Sequence, residues 1–415
     1  MKKTTLLTFF IFLNSVPQFI YSQNSDATKK KVIFVIIDGI SADQLKAAKT
    51  PYLDSIGTIG GYSNAYVGGI KDTYAETPTI SAVGYNSLLT GTWANKHNVY
   101  GNGIKEPNYN YPTIFRLFKD EYPNGTTAIF SSWLDNRTKL VGDGLKATNN
   151  LKVDFAFDGY EHDTINYPHD KQRNFMKLID ISVADNTAKT IVNNAPDISW
   201  VYLEYTDDMG HGFGDGDRFT AAINFEDEQI GKIWNAIKIR QKQFNEDWLF
   251  IITTDHGRNK ENGKGHGGQS ERERSTWIVT NASNTNSYFK NNTVSIVDIL
   301  PTVINFLGID VSPSIKREWD GVPLIGTVDA TNLRTKIENK NLIISWNSLS
   351  TTEAKLYLSD SNHFKSGKTD NYNLLKSVNT KDRMVKIPLR KLPKGFFKLT
   401  LETSNTILNT WITRN

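Results

Sequence analysis

Asp255 and His256 stand side by side, two threonines after the apolar run Leu249-Phe250-Ile251-Ile252. A short β-strand that ends on two such side chains delivers them to the carboxyl edge of a sheet, where open α/β folds build their sites. Two other apolar runs end the same way. Lys31 to Ile37 leads to Asp38-Gly39, and Ile198 to Tyr205 leads to Asp207 and, four residues on, His211; His266 follows in the glycine-rich GKGHGG. Carboxylate oxygen and neutral imidazole both suit a divalent cation such as zinc, so ligands meeting at one edge from several strands point to metal-dependent hydrolysis.

Each of these residues alone has a plainer reading. Aspartate after a strand commonly makes a turn or caps a helix, and the stretch from Asp207 to His211 reads equally well as loop polarity. The joint pattern decides. The chain has seven histidines, and three of them fall at or just beyond a strand end, beside a carboxylate or in a glycine-rich loop; such clusters signal chemistry where single residues do not.

In this order the residues resemble the alkaline phosphatase superfamily and, within it, the type I phosphodiesterase and nucleotide pyrophosphatase group, over roughly residues 31–325. The resemblance implies a first aspartate at Asp38 in FVIIDGI and a nucleophile at Ser81 in PTISAVGYNSLLTG, ten residues before the glycine of Thr90-Gly91. It implies two divalent metal ions, zinc by preference. One would be held by Asp207, His211 and His266, the other by Asp38, Asp255, His256 and the Ser81 oxygen. It also implies that Asn102, 21 residues after Ser81, donates to a non-bridging phosphate oxygen, although Gly101-Asn102-Gly103 alone reads as a turn.

The implied chemistry explains the residue types. A serine hydroxyl is a weak nucleophile at neutral pH, and coordination to a divalent ion activates it without a general base. Ser81 would attack phosphorus and carry a phosphoseryl intermediate. Tyr85 to Leu89 reads as a helix start whose N–H groups favour an anion, and Ser81 without its neighbours reads as an N-cap. A neutral amide at Asn102 suits the single charge of a phosphodiester. Where nucleotide-cleaving members carry phenylalanine, proline and asparagine after the nucleophile, this chain has Ala82, Val83 and Gly84, so a base-stacking platform is missing there. Tyr85, Trp93, Tyr205 and Phe213 are other aromatic candidates for the pocket, each read more simply as core packing. The reading is therefore a phosphodiesterase acting on a small phosphate ester, not on a nucleic acid duplex. Its alternatives are a phosphomonoesterase of the alkaline phosphatase type, a nucleotide pyrophosphatase, and an inactive binding protein of the same fold.

Positioning these residues calls for an α/β fold, a doubly wound, mostly parallel sheet of the alkaline phosphatase-like kind. Strands are expected at 126–133 and 275–280, helices at 173–193 and 218–243, and a late apolar helix from Ser295. Residues 23–326 would form this catalytic domain. Residues 327–415 read as short strands broken by Asn, Ser, Gly and Asp, a small C-terminal all-β sandwich-like module resembling fibronectin type III. That segment carries 15 basic and 7 acidic side chains, a net +8, which admits contact with anionic glycans or a membrane surface, although solvated lysines are the simpler account. Every expected ligand precedes residue 270, so the module is expected to be dispensable for chemistry. Residues 1–22, with Lys2-Lys3 before the apolar stretch Leu6 to Leu13, have the order of a signal peptide, placing the protein in the periplasm or outside the cell. With no cysteine, neither disulfides nor lipoprotein attachment is available.

Overall fold

The computed structural model describes residues 28–414, so the expected signal peptide lies outside the described residues. Eight strands form one sheet: β1 (Lys29–Ile37), β2 (Gly61–Tyr66), β3 (Thr127–Ser131), β4 (Phe155–Phe157), β5 (Ile198–Leu203), β6 (Glu246–Thr253), β7 (Ser275–Thr280) and β8 (Val294–Ser295). Their order is β4-β3-β5-β1-β6-β7-β2-β8. Only β7 runs against its neighbours.

The near-continuous apolar composition of the central strands follows from burial on both faces. On β1, Val32, Phe34 and Ile36 pack with Trp200, Leu249 and the helices Ser81–Thr90, Ile114–Glu121 and Ile299–Leu307. Ile33, Val35 and Ile37 face the other way, onto Val201, Phe250 and the helices Asn174–Asn194 and Asp217–Gln243. This is the doubly wound α/β architecture expected from the sequence. Ile37 pairs with Leu203 and Ile36 with Thr253, so the chain leaves β1, β5 and β6 at the same edge.

One boundary differs in a way that matters. The strand expected to run to Tyr205 stops at Leu203, and Tyr205–Phe213 is a helix. Asp207 and His211 are therefore one helical turn apart on one face rather than in a loop.

Beyond the large sheet, β9 (Ala330–Glu338), β10 (Asn341–Ser348) and β13 (Met384–Pro388) form a three-stranded antiparallel sheet. β11 (Glu353–Ser359), β12 (Asn373–Asn379), β14 (Gly395–Glu402) and β15 (Ile407–Arg414) form a four-stranded one. Their inward residues, among them Trp346, Leu356 and Leu399, belong to the same continuous core as the Ile299–Leu307 helix. Dispensability of this segment is not what the contacts support. Buried Lys398 donates to Glu318 (2.6 Å) and Asp370 (2.8 Å), and buried Lys96 donates to Asp320 (2.6 Å) and to Asn409 on β15 (2.9 Å). Removing the segment would take the cation from Glu318 and expose the apolar core that the Ile299–Leu307 helix shares with these strands, and losing such burial costs about 25 cal/mol per Å². Among the described residues, no helix is long and apolar enough to cross a membrane.

Candidate metal centre

The strand ends bring two ligand groups together, Asp38 with Asp255 and His256, and Asp207 with His211 and His266; within each group the donor atoms lie within 4.8 Å of one another. The first group is fully buried, whereas His211 in the second is exposed. The groups abut through the stacked imidazoles of His256 and His266, whose ring centroids are 3.6 Å apart.

The histidine tautomers are set from behind. Nδ1 of His256 faces the carbonyl of Gly257 at 3.0 Å, and Nδ1 of His266 faces the carbonyl of Thr79 at 2.9 Å. Each Nδ1 must carry the proton, because a carbonyl only accepts, so each Nε2 presents a lone pair. The lone pair of His256 looks onto Asp38 Oδ1 and Asp255 Oδ2, both at 3.3 Å, and those two buried oxygens have no hydrogen-bond partner. Nε2 of His266 lies 3.1 Å from Nε2 of His211. Lone pairs and orphaned carboxylate oxygens converging on one another are stable around a cation and costly without one. The residues present thus fit a pair of divalent ions.

Electrostatics point the same way. Burial, then the charge of Asp207, pushes the Asp38 carboxyl up to about 7. Burial and the charge of Asp38 push Asp255 well above the carboxylate range. Burial also raises Asp207, but Arg258 and then His211 outweigh it and hold this carboxyl well below that range. His256 and His266 are lowered chiefly by burial, which keeps them neutral as ligands must be.

Ser81 opens the helix Ser81–Thr90, with Ile80 rather than Ser81 as its N-cap. The expectation that Ser81 caps the helix fails because its own backbone is already helical. Its Oγ lies 3.3 Å from His256 Nε2, beside the inner group. The N–H of Ala82 is not free for an anion, since it donates to Asn102 Oδ1 at 3.0 Å. That bond fixes the Asn102 amide, leaving its NH₂ as the remaining donor. Gly84 is where helix meets strand end: a Cβ there would stand 2.7 Å from the Asp255 carbonyl and 3.0 Å from its Cβ.

Several contributors were not foreseen. Arg258 follows the Asp255-His256-Gly257 run and is fully buried. It bonds the Asp207 carboxylate, the Asp207 carbonyl (2.9 Å) and the Gly39 carbonyl (3.0 Å), tying all three strand ends together. It passes so close to Gly210 that any Cβ there would overlap the guanidinium. Tyr85 and Tyr202 both donate to Asp38 Oδ2. The first signal was present as an arginine adjoining the ligands; the tyrosines carried none. As pocket aromatics, Tyr85, Trp93 and Tyr205 are core residues, and only Phe213 is half-buried, with Arg218 over its ring. Ala82 is fully buried, so it opens no space for a substrate.

A family model described as type I phosphodiesterase / nucleotide pyrophosphatase matches residues 32–305. No curated protein matches the sequence. Among solved structures, Ps i-CgsB in complex with k-i-k-neocarrahexaose is similar at 16% identity, TM-score 0.51, over 77% of this chain and 85% of that one. A putative sulfatase from Bacteroides thetaiotaomicron is similar at 11% identity, TM-score 0.51, over 88% and 86%. Murine ectonucleotide pyrophosphatase / phosphodiesterase 5 aligns at 13% identity, TM-score 0.47, over 68% and 96%.

Proposed function

The chain belongs to the type I phosphodiesterase / nucleotide pyrophosphatase family, a phosphoric ester hydrolase of the alkaline phosphatase superfamily, and from that premise we propose that it is an exported, two-zinc phosphodiesterase with Ser81 as nucleophile. The observation that carries the reading is the convergence of two three-residue ligand groups, with partnerless buried carboxylate oxygens, next to the first residue of the Ser81–Thr90 helix. A donor set of three carboxylates and three imidazoles favours zinc among common divalent ions.

Bound divalent ions would supply Lewis acidity, stabilising negative charge on the serine oxygen and on the phosphate. The chain's own residues do the rest. Ser81 Oγ forms a bond to phosphorus as the bond to the first alcohol breaks, its proton leaving with that alcohol, giving a phosphoseryl ester that keeps the second alcohol. Water then attacks the same phosphorus, the bond to Oγ breaks, and the hydroxyl is regenerated. The Asn102 NH₂ donates to a non-bridging oxygen through both displacements, its orientation held by the Ala82 N–H. A single neutral donor stabilises a singly charged diester better than it satisfies a monoester dianion, which gains more from a fixed cation.

The test is a panel of matched aryl esters on zinc-loaded protein. The diester should show a higher kcat/KM than the monoester or the aryl sulfate. Preference for the monoester, with an indifferent Asn102→Ala variant, would move the enzyme to the phosphomonoesterase branch, and preference for the sulfate would overturn phosphoryl transfer.

A further inference from the structure

The helix that bears Asp207 and His211 has no cap of its own. Its N-cap is Glu204, whose side chain makes no capping bond, yet the first N–H groups of a buried helix must be satisfied. They are satisfied from another element. Asp180, fully buried in the helix Asn174–Asn194, accepts from Glu204 N at 2.8 Å and from Tyr205 N at 2.7 Å through a single oxygen, Oδ2. Behind it stands Glu226, fully buried in the helix Asp217–Gln243, near enough that the charge of Asp180 adds to burial in raising its carboxyl. Neither Glu226 oxygen nor Asp180 Oδ1 has a hydrogen-bond partner among the described residues.

We propose that Asp180 and Glu226 are positioning residues for the metal centre: Glu226 holds a proton and donates it to Asp180, and the Asp180 carboxylate pins the start of the Tyr205–Phe213 helix so that Asp207 and His211 face His266. The inference rests on the metal-centre reading of those three ligands. Two observations carry it beyond general packing. Asp180 binds the backbone amides of Glu204 and Tyr205, three and two residues before Asp207, and a carboxylate at a helix N-terminus also meets the positive end of the helix dipole. Two buried carboxyls facing each other share one proton, since both cannot ionise at that separation. Burial raises both carboxyls, Asp180 to about 7 and Glu226, with the Asp180 charge added, well above the carboxylate range, so the shared proton rests on Glu226.

The proposal is selective, because Asp38, Asp255 and His256 all lie outside the Tyr205–Phe213 helix, and Thr206 of that helix bonds only the Asp38 backbone carbonyl (2.6 Å), not a ligand atom. Calorimetric titration of chelator-stripped full-length protein with Zn²⁺ alone reads it. Wild type should take up two ions, and uptake of fewer would count against the two-metal reading rather than this inference. Asp180→Leu should weaken one binding step ten- to a hundredfold and leave the other unchanged, the usual effect of losing an outer partner of a ligand. Asp180→Asn, whose amide oxygen still accepts both N–H groups, and Glu226→Gln, which still donates, should restore both steps to within about threefold of wild type, inside the factor of context that such interactions show. Unchanged steps in folded Asp180→Leu, equal loss of both steps, or failure of Asp180→Asn to rescue would each overturn the proposal. If Asp180→Leu does not fold, amide exchange in the metal-free wild type decides. Glu204 and Tyr205 should be as protected as Leu203 in β5, and exchange at loop rates would contradict the pinning.

Discussion

Ser81→Ala deletes one oxygen beside the inner ligand group and changes nothing in the backbone that positions it. Zinc content should stay at the wild-type value while turnover and any phosphoprotein intermediate disappear; turnover near wild type would show that another group attacks phosphorus. Asn102→Ala removes both the transition-state donor and the acceptor that holds the Ala82 N–H, and should cost roughly ten- to a thousandfold in kcat. Arg258 is a different kind of residue. Its loss would leave the Asp207 carboxylate, whose charge already adds to the burial that raises Asp38 and Asp255, without its buried cation, and Arg258→Ala should destabilise the metal-free protein by about 3–5 kcal/mol. Calorimetric unfolding in chelator measures that directly. At this scale the ligands were legible because Asp and His at strand ends are rare in combination. Arg258, Tyr85 and Tyr202 were not, since what they touch depends on three strand ends meeting.

At the scale of elements, the long helices do more than cover the sheet. As Asp180 serves the Tyr205–Phe213 helix, Asp227 on the Asp217–Gln243 helix accepts from Tyr52 N (3.0 Å) and Leu53 N (2.8 Å) at the start of Pro51–Ile59. Capping in trans leaves no local sequence signal, which is why neither short helix was anticipated at its true start. The two long helices were, because their apolar spacing alone defines a buried face. Burial raises the Asp227 carboxyl to about 6. Above the ordinary aspartate range and below 6, the folded chain then holds a proton that the unfolded chain has released, so the stability contributed by this group falls as pH rises between about 4 and 6. The stability of wild type relative to Asp227→Asn should therefore fall across that window and stay flat above it. A difference independent of pH would show that Asp227 ionises normally in the fold.

For the whole molecule, the edge strands β4 and β8, and β2 beside β8, escaped the sequence because tertiary pairing rather than propensity makes them, while β1, β5 and β6 announced themselves by continuous apolar composition. The C-terminal strands were legible as a separate basic segment, but their attachment was not: charge composition does not reveal that Lys398 is the partner of Glu318 or that Arg317 pairs with Glu402. A chain ended at Gly326 should melt well below the full-length protein and lose activity with its fold, and a truncation with full-length melting behaviour would refute this coupling. The central claim, that the strand ends of β1, β5 and β6 hold a metal pair that activates Ser81, is tested most directly by one titration. Chelator-stripped full-length protein is supplied with zinc while hydrolysis of an aryl phosphodiester is followed. The account predicts no turnover in the stripped protein and recovery that saturates at two zinc ions per chain; full turnover without added metal would contradict it.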